Sequence, residues 1–98
     1  MRIVWTTEAL SDFENILAYY LQKAGTATAE AVERRTVSQI EMLRDFPERV
    51  RVRVRASDRI PGTGEAVMYR LPYIAFIRIA GDAIQVLNIA HTARKFPE

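Results

Sequence analysis

A chain of 98 residues and 11.2 kDa has room for one hydrophobic core and no second domain. Its 49% hydrophobic and 27% charged residues give the balance of a soluble globular domain. The absence of cysteine excludes a disulfide scaffold, a thiol nucleophile and a cysteine-based zinc site, and a single histidine argues against a multi-histidine metal centre. The net charge of +2 hides an asymmetry, because residues 1–48 sum to −3 and residues 49–98 to +5, with twelve of the fourteen cations arginine. Guanidinium is planar, permanently charged and weakly hydrated, so it suits carboxylate or phosphate recognition. The basic half is thus either a solvated face or a surface for an anionic partner: RNA, DNA or an acidic protein.

In chain order, Ile3-Val4-Trp5 reads as a short first strand. Thr6 or Thr7 is a candidate N-cap, and Glu8 suits the positive end of the helix that follows. Leu10, Phe13, Leu17, Tyr20 and Leu21 recur at helical spacing, which predicts an amphipathic helix over residues 7–23. Ala24-Gly25-Thr26 breaks it, with Gly25 free to take a left-handed conformation. A second helix is expected from Ala27 or Thr28 to Arg44, with Val32, Thr36, Ile40 and Leu43 inward; Phe46-Pro47 closes it. From residue 50 the period becomes two. Val50, Val52 and Val54 alternate with Arg51, Arg53 and Arg55, giving one apolar and one cationic strand face.

Asp58–Gly64 is a turn region, Glu65–Tyr69 a strand, and Leu71-Pro72 an interruption. Tyr73–Ala80 and Ala83–Ala90 are two more strands joined by a Gly81-Asp82 hairpin link. Ile84, Val86, Leu87 and Ile89 make the last strand apolar on both faces, as a central strand would be. The expectation is an α+β domain of order β-α-α-β-β-β: an antiparallel sheet of about four strands with an N-terminal helical hairpin packed on one face. Trp5, Phe13, Tyr20 and Phe46 are expected in the packing between helices and sheet, with Tyr19 turned to the flank. No apolar run approaches the roughly 20 residues that cross a bilayer, and the first residues lack the apolar stretch of a signal peptide, so the expected setting is the cytoplasm.

Five segments, in order along nearly the whole chain, resemble toxins of the RelE/ParE superfamily of type II toxin–antitoxin systems. They are Val4-Trp5-Thr6-Thr7-Glu8-Ala9-Leu10-Ser11-Asp12, Leu43-Arg44-Asp45-Phe46-Pro47, Ile60-Pro61-Gly62-Thr63-Gly64-Glu65, Leu71-Pro72-Tyr73-Ile74 and Ile89-Ala90-His91-Thr92-Ala93-Arg94. The resemblance implies a growth-inhibiting toxin without cofactor, neutralised by a cognate acidic antitoxin in a hetero-oligomer. It divides between two targets. RelE-like members cleave mRNA on the ribosome, and ParE-like members poison DNA gyrase by binding it.

Metal-independent RNA cleavage through the 2′-hydroxyl needs a base, an acid and cations around the phosphorane. His91 and Glu65 are the candidate proton carriers, with Arg53, Arg55, Arg70 and Arg78 as cations on one sheet face. In the RelE-like branch, an aromatic at the position resembled by Tyr73 is commonly followed by Arg, and a Tyr stands near the position resembled by His91. Here Ile74 and Thr92 stand at those places. The Pro-Gly-Thr and Leu-Pro-Tyr segments resemble the ParE side, although Gly64 stands where ParE-like toxins often carry Arg. The leading expectation is therefore a non-catalytic gyrase inhibitor, the alternative a ribosome-dependent endoribonuclease, and a third option a member whose toxicity has decayed. On the bland reading His91 is a hydrogen-bonded structural residue and Glu65 a solvated or antitoxin-facing one. Leu17, Tyr19, Tyr20, Arg51, Arg53 and Arg55 are the candidate antitoxin contacts. Arg94, Lys95 and Phe96 are either a frayed terminus or a target contact.

Overall fold

In the computed structural model, residues 2–46 and 63–91 are described. The alternating Val/Arg segment at 50–55, the Asp58-to-Gly62 turn and the tail from Thr92 lie outside the described residues. The element order is β1 (Arg2–Trp5), α1 (Thr7–Ala24), α2 (Thr26–Met42), β2 (Thr63–Val67), β3 (Tyr73–Ala80) and β4 (Ala83–His91). The strands form one sheet in the order β1-β4-β3-β2. The α+β expectation is met, with one refinement: β1 runs parallel to β4, so the sheet is mixed rather than wholly antiparallel. A strand that must return to the sheet after a helical hairpin on one face can enter parallel to the central strand.

Thr6, not Thr7, caps α1. It is extended (φ −73°, ψ 163°), and its hydroxyl oxygen accepts from Ala9 N–H at 3.1 Å. The same hydroxyl lies 2.9 Å from the Val86 and the Leu87 carbonyl oxygens, and Thr6 N–H donates to Val86 at 3.0 Å. One residue thus ends the parallel ladder, starts the helix and ties both to β4. The buried stripe of α1 is Ala9 and Phe13, continued by half-buried Ile16, Leu17 and Tyr20. Leu10 and Leu21, expected in that stripe, are about half exposed on its borders. Ala9, not Leu10, stands on the buried side, four residues before Phe13, and has no exposed surface.

Gly25 is the single residue between the helices. Its φ of 89° and ψ of 174° let its N–H close the end of α1 by donating to the Leu21 carbonyl, while its own carbonyl accepts Ala29 N–H at the start of α2. The expected inner face of α2 is fully met: Val32, Thr36, Ile40 and Leu43 are all buried. Thr36, the one buried polar residue among those described, donates its hydroxyl back to the Val32 carbonyl at 2.8 Å. The helix ends at Met42, two residues early. The bonds of Leu43 to Ile40, Arg44 to Glu41 and Asp45 to Met42 tighten the chain into i→i+3 turns. Phe46, expected in the packing between helices and sheet, is instead 45% exposed beyond these turns.

The core lies between the helical hairpin and one sheet face. Ala9, Phe13, Ile40 and Leu43 meet Ala66, Tyr73, Ala75, Ile77, Ile84, Val86 and Ile89. Trp5 stacks on Phe13, ring centroids 5.4 Å apart. Strand β4 is central, as its apolar sequence implies, but its apolar pattern has a different cause from two buried faces. Phe76 pairs with Asn88 and Ile77 with Val86, so Leu87 is an extra residue, a β-bulge. The bulge shifts the alternation by one, and Ile84, Val86, Ile89 and His91 all come to the helix side.

Candidate functional site

The bulge decides where the titratable residues stand. His91 pairs with Tyr73, and the two rings meet edge to face at 5.6 Å on the helix side of the sheet. Glu65 pairs with Phe76, and Arg78 with Thr63 and Gln85. Because side chains alternate along a strand, Glu65 and Arg78 lie with Phe76 on the opposite face from Tyr73. Arg78 is five residues beyond Tyr73, about 17 Å along β3 at ~3.3 Å per residue. Arg70 belongs to neither face; it sits in the turn after β2. Proton transfer needs donor and acceptor within about 3 Å or one water. The expectation that His91, Glu65, Arg70 and Arg78 share one sheet face is not met by this arrangement. Arg53 and Arg55 lie outside the described residues. Gly64 is buried in β2 opposite Ile77, on the helix side.

What the fold does bring together is aromatic. Tyr20 of α1 meets Tyr73 edge to face at 6.3 Å, and Tyr19 meets Tyr20 at 5.5 Å. With Tyr73 against His91, the line runs from the helix to the end of β4. Of the expected antitoxin contacts, Tyr19 is 56% exposed, whereas Leu17 and Tyr20 are half-buried and pack on the core. The Tyr73 phenol is pushed well above its ordinary value near 10, first by burial, then by its hydrogen bond with Tyr20 and the proximity of Tyr20 and Tyr19. It is therefore a neutral hydrogen-bonding group at physiological pH. Arg51 of the stripe, and Arg94, Lys95 and Phe96 of the expected target contact, lie outside the described residues.

Two features escape a reading by periodicity. Asp12, on the α1 border, accepts Ile89 N–H at 2.9 Å and Asn88 Nδ2 at 3.4 Å. Strand β1 pairs with β4 only as far as Val86, so the Asp12 carboxylate takes over the edge where the ladder stops. Its place in the Thr6-to-Asp12 run was the available signal. The other feature is the turn between β2 and β3. The Gln39 side chain of α2 donates to the Tyr69 carbonyl at 2.8 Å and accepts Tyr69 N–H, while Met68 N–H donates to the Tyr73 carbonyl. Arg70, at φ 59°, is the one non-glycine residue with positive φ among those described, a conformation costing about 1–2 kcal/mol for an L-residue. Its guanidinium stands 5.5 Å from the centre of the Tyr69 ring, and Tyr69 is 71% exposed. No sequence period marks Gln39 as the residue that holds this turn.

No group of three or more His, Cys, Asp or Glu side chains placed to hold a metal occurs among the described residues. No helix among them is long and apolar enough to cross a membrane. The chain is similar to a solved structure described as "Chromosomal ParDE TA system from P. aeruginosa", with 26% identity and a TM-score of 0.78, over 93% of this chain and 95% of that one. No curated protein matches it. The model of the ParE toxin of type II toxin–antitoxin systems, parDE, matches residues 3–96. With that match spanning nearly the whole chain, on a fold whose order follows the same reading, this protein belongs to the ParE toxin family.

Proposed function

We propose that the protein inhibits DNA gyrase by direct binding and is held inactive by a cognate antitoxin. The observation that carries this reading over mRNA cleavage is the separation of His91 from Glu65 and Arg78 by the sheet itself. A binding toxin has no need of an acid and a base within reach of one phosphate. His91 then serves as the end-stop of the aromatic line rather than as a proton carrier, and Glu65 as part of the outer face. Membership of the ParE family supports the same target.

The antitoxin surface is expected on α1 around Leu17, Tyr19 and Tyr20, and along the arginines at 51, 53 and 55, with the tail residues Arg94, Lys95 and Phe96 meeting the target. An acidic segment that folds as it binds would lay apolar side chains on the first and carboxylates on the second. The deciding experiment places the purified protein in a gyrase supercoiling assay and, side by side, with translating ribosomes. Loss of supercoiling without mRNA cleavage is expected, and His91→Ala and Glu65→Ala should retain it. Cleavage of ribosome-bound mRNA, abolished by either substitution and with gyrase unaffected, overturns the proposal in favour of a RelE-like endoribonuclease.

A further inference from the structure

The four tyrosines of the chain and its single histidine converge on one end of the sheet. Tyr19 and Tyr20 arrive from α1, Tyr73 and His91 from paired strand ends, and Tyr69 from the turn immediately before β3. Tyrosine at a surface offers large contact area at small entropic loss and is enriched where proteins meet. Next to Tyr69 stands Arg70, kept in a backbone conformation that a glycine would occupy more readily. Strain of this kind persists where surrounding contacts over-determine it, and it gathers at ligand clamps. The over-determining contact is the two-point grip of Gln39 on the Tyr69 backbone.

We infer that the Tyr69–Arg70 turn is a preorganised anchor for the antitoxin, extending the α1 surface across the Tyr20–Tyr73 contact, and that Arg70 pairs there with an antitoxin carboxylate beside an apolar side chain seated on Tyr69. This rests on the proposed antitoxin surface at Leu17, Tyr19 and Tyr20, to which the turn is joined through buried Tyr73, whose carbonyl accepts Met68 N–H and whose ring meets Tyr20. A guanidinium over an aromatic ring keeps its N–H fork for bidentate pairing with a carboxylate. A nucleic acid fits the site less well. Among the described residues, Arg70 is the one cation shown against these tyrosines, and one cation supplies little of the multiple phosphate neutralisation that such binding needs. The charge pattern of the chain, basic in the half that holds this turn, also favours an acidic protein segment. Gln39 is a positioning residue, acting through Tyr69 and Arg70 rather than by touching the partner.

The test is titration calorimetry of the full-length chain with the purified full-length cognate antitoxin at two salt concentrations, alongside thermal unfolding. Arg70→Gly is the informative variant, because it removes the guanidinium while relieving the backbone. It should unfold at the same or a higher temperature, yet bind about tenfold or more weakly, with a shallower salt dependence. Tyr69→Ala should weaken binding to a similar degree. Gln39→Ala should weaken it less, and its effect should vanish in a background carrying both Tyr69→Ala and Arg70→Gly; a merely structural Gln39 would act equally there and in the parent. Parent-like affinity of Arg70→Gly and Tyr69→Ala, with Tyr19→Ala weakened, overturns this inference and leaves the α1 surface standing. Failure of the antitoxin to bind the parent chain removes the underlying reading itself. Unchanged antitoxin affinity with lost growth inhibition overturns the inference by assigning the turn to the target.

Discussion

The two ends of the sheet are closed in different ways. At the Gly81 end, main chain does the work: β3 returns into β4 through two residues, Gly81 takes φ 60°, and Arg2 N–H joins the turn by donating to the Asp82 carbonyl at 2.8 Å. At the tyrosine end, side chains do it. Gln39 grips the β2–β3 turn, Tyr20 and His91 flank Tyr73, and the Asp12 carboxylate satisfies an amide of β4 beyond the reach of β1. Among the described residues, the backbone-closed end is set by main-chain geometry. The side-chain-closed end carries polar and aromatic groups that are partly exposed and individually replaceable, which is where recognition can be adjusted without rewriting the fold.

If that contrast is right, the largest loss of stability comes from the tyrosine end. Tyr73→Ala empties a buried aromatic site and should cost about 3–4 kcal/mol by denaturant titration. A loss near 1 kcal/mol would mean that the end is held mainly by backbone after all. Asp12→Ala leaves the Ile89 N–H without its acceptor and should cost about 1–2 kcal/mol, with faster amide exchange at Ile89. At the other end, Gly81→Ala meets no neighbouring atom within 4 Å, so only its positive φ opposes the change, and about 1 kcal/mol is expected. The smallest effect is that of Arg2→Ala. Its 3.6 Å ion pair with Asp82 is largely exposed on both sides, and a change below about 0.5 kcal/mol is expected.

A titration sharpens the same contrast. The Tyr73 phenol is raised above its unfolded value near 10 by burial and by Tyr20. The folded state therefore holds this proton more tightly than the unfolded state. Its contribution to stability is fully present below pH 10 and is lost as the pH climbs from there toward the folded value. The unfolding temperature of the parent should fall more steeply above pH 10 than that of Tyr73→Phe. Parallel alkaline limbs for the two proteins would place the proton-linked group elsewhere.

The asymmetry between the ends also explains what could be read from the residues alone. Gly81-Asp82 between apolar runs, Gly25 between helices, and the Val32-Thr36-Ile40-Leu43 stripe were legible because each is a local pattern with a local physical cause. The tyrosine end was not, because contacts such as Gln39 with Tyr69 and Asp12 with Ile89 join residues 30 and 77 positions apart with no period linking them. Leu10 and Ala9 show the same limit within one helix. Hydrophobicity favours leucine for the core, but helix phase puts Ala9 on the buried side with Phe13 and leaves Leu10 about half exposed. For the site, residue types were visible in the sequence and the faces were not. His91 and Glu65 look like a pair until strand register separates them.

Leu87, the extra residue of β4, acts as a phase shifter for everything downstream of it. Straightening the bulge with Leu87 kept in the ladder would bring Ile89 and His91 around to the outer face and turn Asn88 and Ala90 inward, whereas deleting Leu87 would leave all of them on their present faces. A related chain with an Ile-Ala-His ending, the same spacing from the Val86 position and no bulge would present its histidine to the opposite side. Column-by-column comparison of family members therefore carries a residue's chemistry across but not its address. The number of residues between Val86 and His91, taken together with the presence or absence of the bulge, tells which side of the sheet the histidine of a given relative occupies.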